Sequence, residues 1–168
     1  MQVNIFRLMM VSVFCSLVIF STVAETSNEN KPPKKKSLAH RARKRKADFI
    51  EKNIPNYLNM QVALFNDSLE PVLSIAKTLN ESLNQEEISD IDLKTSLEKL
   101  SNIKNLKEAR AEFKNLSVHF VQWVQNNFIN DVEILFCPST NSKWIQRKGE
   151  VNNPIDEGDL KKCGEKEK

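Results

Sequence analysis

Met60, His119, Cys137 and Cys163 are the Met, His and Cys residues between positions 48 and 168, and they carry the atoms of soft-metal and redox chemistry. As one set they are candidate ligands of a metal, provided that the segments bearing Met60 and His119 converge on the tail that holds both cysteines. As a pair, two thiols in an oxidising compartment form a disulfide, with free thiols or thiolate ligands as the other outcomes. No CxxC or HxxxH spacing fixes a metal locally. His119 follows Leu116 by three residues and precedes Phe120, at the edge of an apolar stripe. That place suits a hydrogen-bonded or partly exposed imidazole. His40 lies in a basic, solvated stretch.

Other chemistry finds less support. Three glycines in 168 residues make no phosphate loop. The carboxylate-rich pieces Glu86-Glu87 and Asp156-Glu157-Gly158-Asp159 fall in expected loops and lack the regular ligand series of a calcium site. A nucleophile with its base, or an acid pair in a pocket, is not written here. The chain therefore reads as a binding protein and not as an enzyme. Trp123 and Trp144 suit core or latch packing better than an exposed anchor.

Which compartment applies follows from the other end. Arg7, the apolar run Leu8 to Phe20 and the small residues Thr22 and Ala24 make residues 1–24 a signal peptide cleaved after Ala24, which implies a periplasmic or secreted protein. The run is shorter than the roughly twenty residues that span a bilayer as a helix. Removing Cys15 with the signal leaves the pair Cys137 and Cys163.

Charge is unevenly spread. Residues 25–46 hold nine basic and two acidic side chains, a surplus of seven positive charges; from Ala47 onwards fifteen basic face twenty acidic, a deficit of five. Pro32-Pro33 and the like-charge run oppose helix nucleation, so residues 25–47 read as a disordered basic linker. Its Lys34, Lys35, Lys36, Arg41, Arg43, Lys44, Arg45 and Lys46 serve either as a solvated tether or as an adhesion element for an anionic membrane or surface. After a secretory signal, nucleic acid is not an expected partner.

Residues 48–168 must position the candidate side chains. Apolar spacing predicts a helix carrying Leu58, Val62, Phe65 and Leu69 with Pro55 in its first turn. A second starts near Asp67-Ser68 and carries Leu69, Val72, Leu73, Ala76, Leu79 and Leu83. A third, capped at Ser89 or Asp90, carries Leu93, Leu97, Leu100 and Ile103; the fourth runs from Asn105 to Ile129 with Ala109, Phe113, Leu116, Phe120 and Trp123. The expected fold is mainly all-α: an up-and-down bundle of about four helices with an irregular, disulfide-pinned C-terminal strap. Val132 to Phe136 reads as one short extended segment.

The ordered set Cys137-Pro138, Trp144-Ile145-Gln146, Asn153-Pro154 and Cys163-Gly164, with Arg110, Phe113, Leu116 and Ser117 upstream, resembles a bacterial domain family of unknown function, DUF3347. The likeness extends over about residues 55–166. Members stand alone in secreted or periplasmic proteins or are fused to periplasmic adaptor subunits of heavy-metal efflux systems. The resemblance implies an accessory role in envelope metal homeostasis, with an efflux component as partner and copper as the metal. It also marks Pro138, Trp144, Asn153, Pro154 and Gly164 as strap-packing residues. This chain departs from the family pattern where a Met is usual, at Ser139 and Leu160, and where an aromatic follows Asn-Pro, at Ile155. Loss of two thioethers weakens direct chelation and favours the alternative, a structural or interaction module tethered to the cell envelope by its basic arm with no metal, while partner docking survives either way.

Overall fold

The computed structural model describes residues 35–127 and 129–167. The expected signal peptide and the linker residues 25–34, including Lys34, lie outside them.

Four helices are described: α1 Lys35–Phe65, α2 Leu69–Gln85, α3 Ile91–Leu100 and α4 Leu106–Asn126. Short connections turn each helix back on the one before, and α4 closes the bundle against α1. Leu79 and Leu83 of α2, Leu93, Leu97 and Leu100 of α3, and Phe113, Leu116 and Phe120 of α4 meet in the core fully buried. Caps fall where polar side chains satisfy the free N–H groups of a first turn. Asp90 Oδ1 accepts from Leu93 N at 2.9 Å, and Asn105 Oδ1 from Glu108 N at 2.9 Å. Ser68 is the N-cap of α2 but makes no side-chain cap bond.

The first helix differs most from expectation. It begins at Lys35, so the basic stretch 35–47 is helical and not a disordered linker. Ala, Leu, Arg and Lys are strong helix formers, and the turns they build lead straight into Phe49 and Ile50, both buried. Pro55 sits in the interior of the helix, not in its first turn. Its ring costs a hydrogen bond to the Glu51 carbonyl. Both residues lie on the exposed face, where solvent serves that carbonyl. The buried stripe runs through Ile50, Ile54, Tyr57 and Leu64 with the polar Asn53 and Gln61 among them, while Val62 is half exposed. α3 stops at Leu100, before Ile103, and α4 at Asn126, before Ile129.

The strap carries a small sheet as well as irregular chain. β1 (Val132–Cys137) and β2 (Ser142–Arg147) form an antiparallel hairpin, and β3 (Glu165–Lys166) adds to the other edge of β1, giving the order β2-β1-β3. The hairpin loop is Pro138 to Asn141, with Asn141 at φ 47, a conformation that asparagine tolerates well. Between β2 and β3 the chain passes through Asn153-Pro154 and a 3₁₀ turn, Gly158–Lys162. No described helix is long and apolar enough to cross a membrane.

Candidate functional site: the strap clamp and the basic face of α1

Cys137 and Cys163 are joined, with Cα atoms 5.3 Å apart and 26 residues of separation. The bond ties the end of β1 to the tail just before β3. Beside it, Gly164 lies under the Trp144 indole: a Cβ there would stand 2.8 Å from Trp144 Cη2 and 2.9 Å from Val151 Cγ1. The Cys-Gly pair thus has a steric reason, since only glycine lets the tail approach the ring. Trp144 is fully buried and is a packing residue, as its sequence setting suggests.

Asn153 organises the turn between the disulfide and β2. Its Nδ2 donates to Asp156 Oδ2 at 2.9 Å and to the carbonyls of Leu160 and Cys163 at 3.1 Å. Its Oδ1 accepts from the N–H groups of Ile155 at 2.9 Å and Asp156 at 3.3 Å. A fully buried amide serving five partners explains Asn at this place. Pro154 is buried beside it, and its carbonyl accepts from Arg110 Nη1 at 2.7 Å. Pro138, by contrast, is exposed in the hairpin loop and not buried in the strap. That expectation is corrected: a proline here only initiates the turn.

Arg110 is the buried guanidinium that joins the bundle to the strap. Besides Pro154 it reaches Asp67 Oδ1 at 2.5 Å through Nη2, and its Nε lies 3.7 Å from Glu157 Oε1. Asp67, at φ 57 in the α1–α2 turn, also pairs with Lys161 at 2.5 Å. The hydrogen bond from Lys161 holds the Asp67 carboxyl below the usual range against slight desolvation, with the charges of Lys161 and Arg110 adding to it.

A second link is Tyr57, stacked between Phe113 at 4.8 Å and Phe120 at 4.5 Å between ring centroids. Ser117 Oγ donates to the Phe113 carbonyl at 2.8 Å, so the Tyr57 hydroxyl donates to Ser117 Oγ at 2.7 Å and accepts from Ile145 N at 3.4 Å. Burial pushes the phenol far above its ordinary pKa, so it stays protonated. The bond to Ile145 pins β2 to α1 and α4. Gln146 completes the inner lining: its Nε2 donates to Glu133 Oε1 at 3.3 Å and to the Glu150 carbonyl at 2.9 Å, while Oε1 accepts from Trp144 Nε1 at 3.3 Å.

The candidate metal set is not assembled. Cys137 and Cys163 bond each other, Met60 is buried in the core, and His119 turns its Nδ1 to Lys46 Nζ at 3.3 Å. Among the described residues no three His, Cys, Asp or Glu side chains gather around a common point.

His119 instead belongs to a cluster with Lys46 and Asp90. Lys46 Nζ lies 2.5 Å from Asp90 Oδ2, which is 4.0 Å from His119 Nδ1. Because the ammonium can only donate, Nδ1 accepts and the neutral ring carries its proton on Nε2. Desolvation lowers the imidazole pKa, and the Lys46 charge adds to this against the pull of Asp90 and Asp92. Partial burial works against the Asp90 carboxylate, but hydrogen bonds from Lys46 and Leu93 N–H, with the charges of Lys46 and His119, hold its pKa below the usual range.

Lys46 is therefore a docked side chain, whereas Arg41, Arg43, Lys44 and Arg45 are exposed. At 100° per residue Leu38, Arg41, Lys44 and Arg45 share the outer face of α1, and Arg43 and Lys46 point towards α4. Between α1 and α4 lies a groove of about 620 Å³ whose floor includes Ala47, Ile50 and the half-buried Trp123. Lys35 and Lys36 begin the helix.

The architecture defines the class: a small helical bundle braced by a disulfide-closed β-strap, with a basic helix leading into it. Residues 54–131 match the family model described as protein of unknown function, DUF3347, which supports assigning this segment to that family. The match runs from α1 to Asp131, just before β1, so the Cys-Pro, Asn-Pro and Cys-Gly motifs lie beyond it. No curated protein and no solved structure matches the chain.

Proposed function

We propose that this chain is a non-catalytic accessory domain of the cell envelope, periplasmic or secreted, that docks on an anionic partner through the first turns of α1. The observation that carries this reading is the outward face of Arg41, Lys44 and Arg45, exposed on a helix anchored by Phe49 and Ile50. A fixed helix presents those charges in one array, at less entropic cost than a loose tail. The envelope setting rests on the N-terminal signal features, and the link to metal efflux comes with the family resemblance. Direct copper chelation has less support, because both candidate thiolates are consumed in the disulfide.

A second reading uses the same face: a structural module held to anionic membrane, with no partner protein and no metal. Leu38 is the one large apolar side chain exposed on the described turns before Phe49, so such contact would be electrostatic and not inserted. The test compares poly-glutamate with vesicles of equimolar phosphatidylglycerol and phosphatidylcholine. Each basic side chain near an anionic surface contributes about 1 kcal/mol, so the triple change Arg41→Gln, Lys44→Gln, Arg45→Gln should weaken salt-sensitive binding about a hundredfold. Binding to poly-glutamate but not to vesicles supports the docking reading; vesicle binding alone supports the membrane reading. Indifference of both to the triple change overturns the role of this face.

A further inference from the structure

The groove between α1 and α4 points to the chemistry of the partner, an inference that rests on the docking reading and sharpens it. We infer that this groove takes a short acidic peptide segment of the partner that carries an apolar or aromatic side chain between its carboxylates. No lining side chain is acidic. Arg43 stands at its rim, exposed and without an ion pair among the described residues, and the Lys46–His119 contact lies at its wall. Lys46 fixes Nδ1 of His119 as acceptor, which leaves Nε2–H as a donor with no acceptor among the described residues. The floor is apolar: Ala47, buried Ile50 and half-buried Trp123.

The far end is made by Asn126 and Asn127. Their Nδ2 groups donate to the carbonyls of Gln122 at 2.7 Å and Trp123 at 2.8 Å, so their Oδ1 atoms are left as acceptors for the N–H groups of a bound chain. The same two bonds cover terminal carbonyls of α4 that would otherwise repel an anion. From Arg43 to Ile50 the groove is about 11 Å long at 1.5 Å per residue, room for three or four extended residues. Charge complementarity therefore selects a carboxylate-bearing segment, and the indole floor selects a planar or aliphatic side chain within it. The cations of the groove face α4, whereas Arg41, Lys44 and Arg45 face outwards, so the two sites separate by mutation.

The experiment uses the disulfide-intact chain and intrinsic tryptophan fluorescence. Trp144 is fully buried, so Trp123 reports on the groove. The probes are the peptide Glu-Glu-Phe-Glu-Glu, the control Glu-Glu-Ser-Glu-Glu, and the phosphatidylglycerol vesicles described above. The phenylalanine peptide should bind at least about tenfold more tightly than the serine control, as expected for filling an apolar floor. Arg43→Gln should weaken it about fivefold and Trp123→Phe by a smaller factor, with circular dichroism confirming the fold of each. The outer-face triple change should weaken both peptides by a similar factor, leaving the ratio of their affinities within about twofold. Equal affinity for the two peptides, insensitivity to Arg43→Gln, or a fluorescence response to vesicles alone overturns the inference. If instead the triple change abolishes poly-glutamate binding while neither peptide binds, the docking reading stands and the groove does not carry it.

Discussion

Replacing the buried Asn153 with aspartate tests the strap at its most connected point, because the change is nearly isosteric and removes only the two N–H groups. Those hydrogens are shared among Asp156 Oδ2 and the carbonyls of Leu160 and Cys163. Losing them costs about 1 kcal/mol for each hydrogen, roughly 2 kcal/mol in all. An oxygen in their place then faces three acceptors, one of them a carboxylate. The new carboxyl relieves this by holding a proton, so its pKa rises in the folded state. At pH 7 that adds about 1.4 kcal/mol for each unit of the rise, for a total destabilisation of about 3–5 kcal/mol. A group with a raised folded pKa stabilises below its unfolded pKa and loses that contribution as pH rises through the folded value. Relative to the parent chain, the deficit of Asn153→Asp should therefore shrink between pH 7 and pH 5. Asn153→Ala should cost about 2–4 kcal/mol with no such trend, since it leaves the Ile155 and Asp156 amides without an acceptor. Urea denaturation with the disulfide intact, run at both pH values, reads the differences. A parental stability for Asn153→Asp, or a deficit that is the same at pH 7 and pH 5, would refute the hydrogen-bond assignment.

Reduction of Cys137–Cys163 should lower stability by about 3.5 kcal/mol, as expected for opening a loop of this length, and the midpoint of denaturation with and without reductant measures it. Gly164→Ala should cost about 1–3 kcal/mol through overpacking against the Trp144 ring, and the change in Trp144 near-ultraviolet ellipticity locates the clash. Tyr57→Phe should cost about 1–2 kcal/mol and speed hydrogen exchange at the Ile145 amide, which loses its acceptor. His119 has a lowered folded pKa, so its neutral form is the one the fold prefers. Stability is complete above the ordinary imidazole value and falls as pH drops through the lowered one. His119→Gln should remove that part of the acid slope, leaving the loss from Asp67 and Asp90 at lower pH.

The helices were legible where apolar side chains repeat at helical spacing. Val72, Ala76, Leu79 and Leu83 of α2, and Ala109, Phe113, Leu116 and Phe120 of α4, are all buried. The upstream half of α1 is masked in the sequence because a proline and a charge run both look like interruptions. Neither outweighs a helix whose inner face buries Phe49, Ile50 and Ile54 upstream of Pro55. The stripe itself was obscured by Asn53 and Gln61, buried polar residues satisfied by the Phe49 and Asn152 carbonyls. The strap sheet is hidden in the sequence because β2, Ser-Lys-Trp-Ile-Gln-Arg, buries Ser142, Trp144, Ile145 and Gln146 and so lacks simple alternation. The disulfide is legible in the sequence as the expected pairing of the two cysteines that follow the N-terminal signal pattern. Arg110 and Asn153 could be singled out only as motif members, because their roles depend on partners more than forty residues away or on a turn that sequence does not show. The groove beside Trp123 has no signal in the sequence, since Arg43, Lys46 and Ala47 of its wall belong to a stretch that reads as linker.

A closed strap leaves neither Cys137 nor Cys163 free for a metal, and on the proposed reading the domain docks without one. A Cu(I) competition titration of the disulfide-intact chain against a chromophoric chelator tests it most directly. Copper is expected to remain with the chelator at submicromolar free concentrations, and His119→Ala to change nothing. Stoichiometric transfer of Cu(I) to the oxidised chain, lost on His119→Ala, would contradict the account.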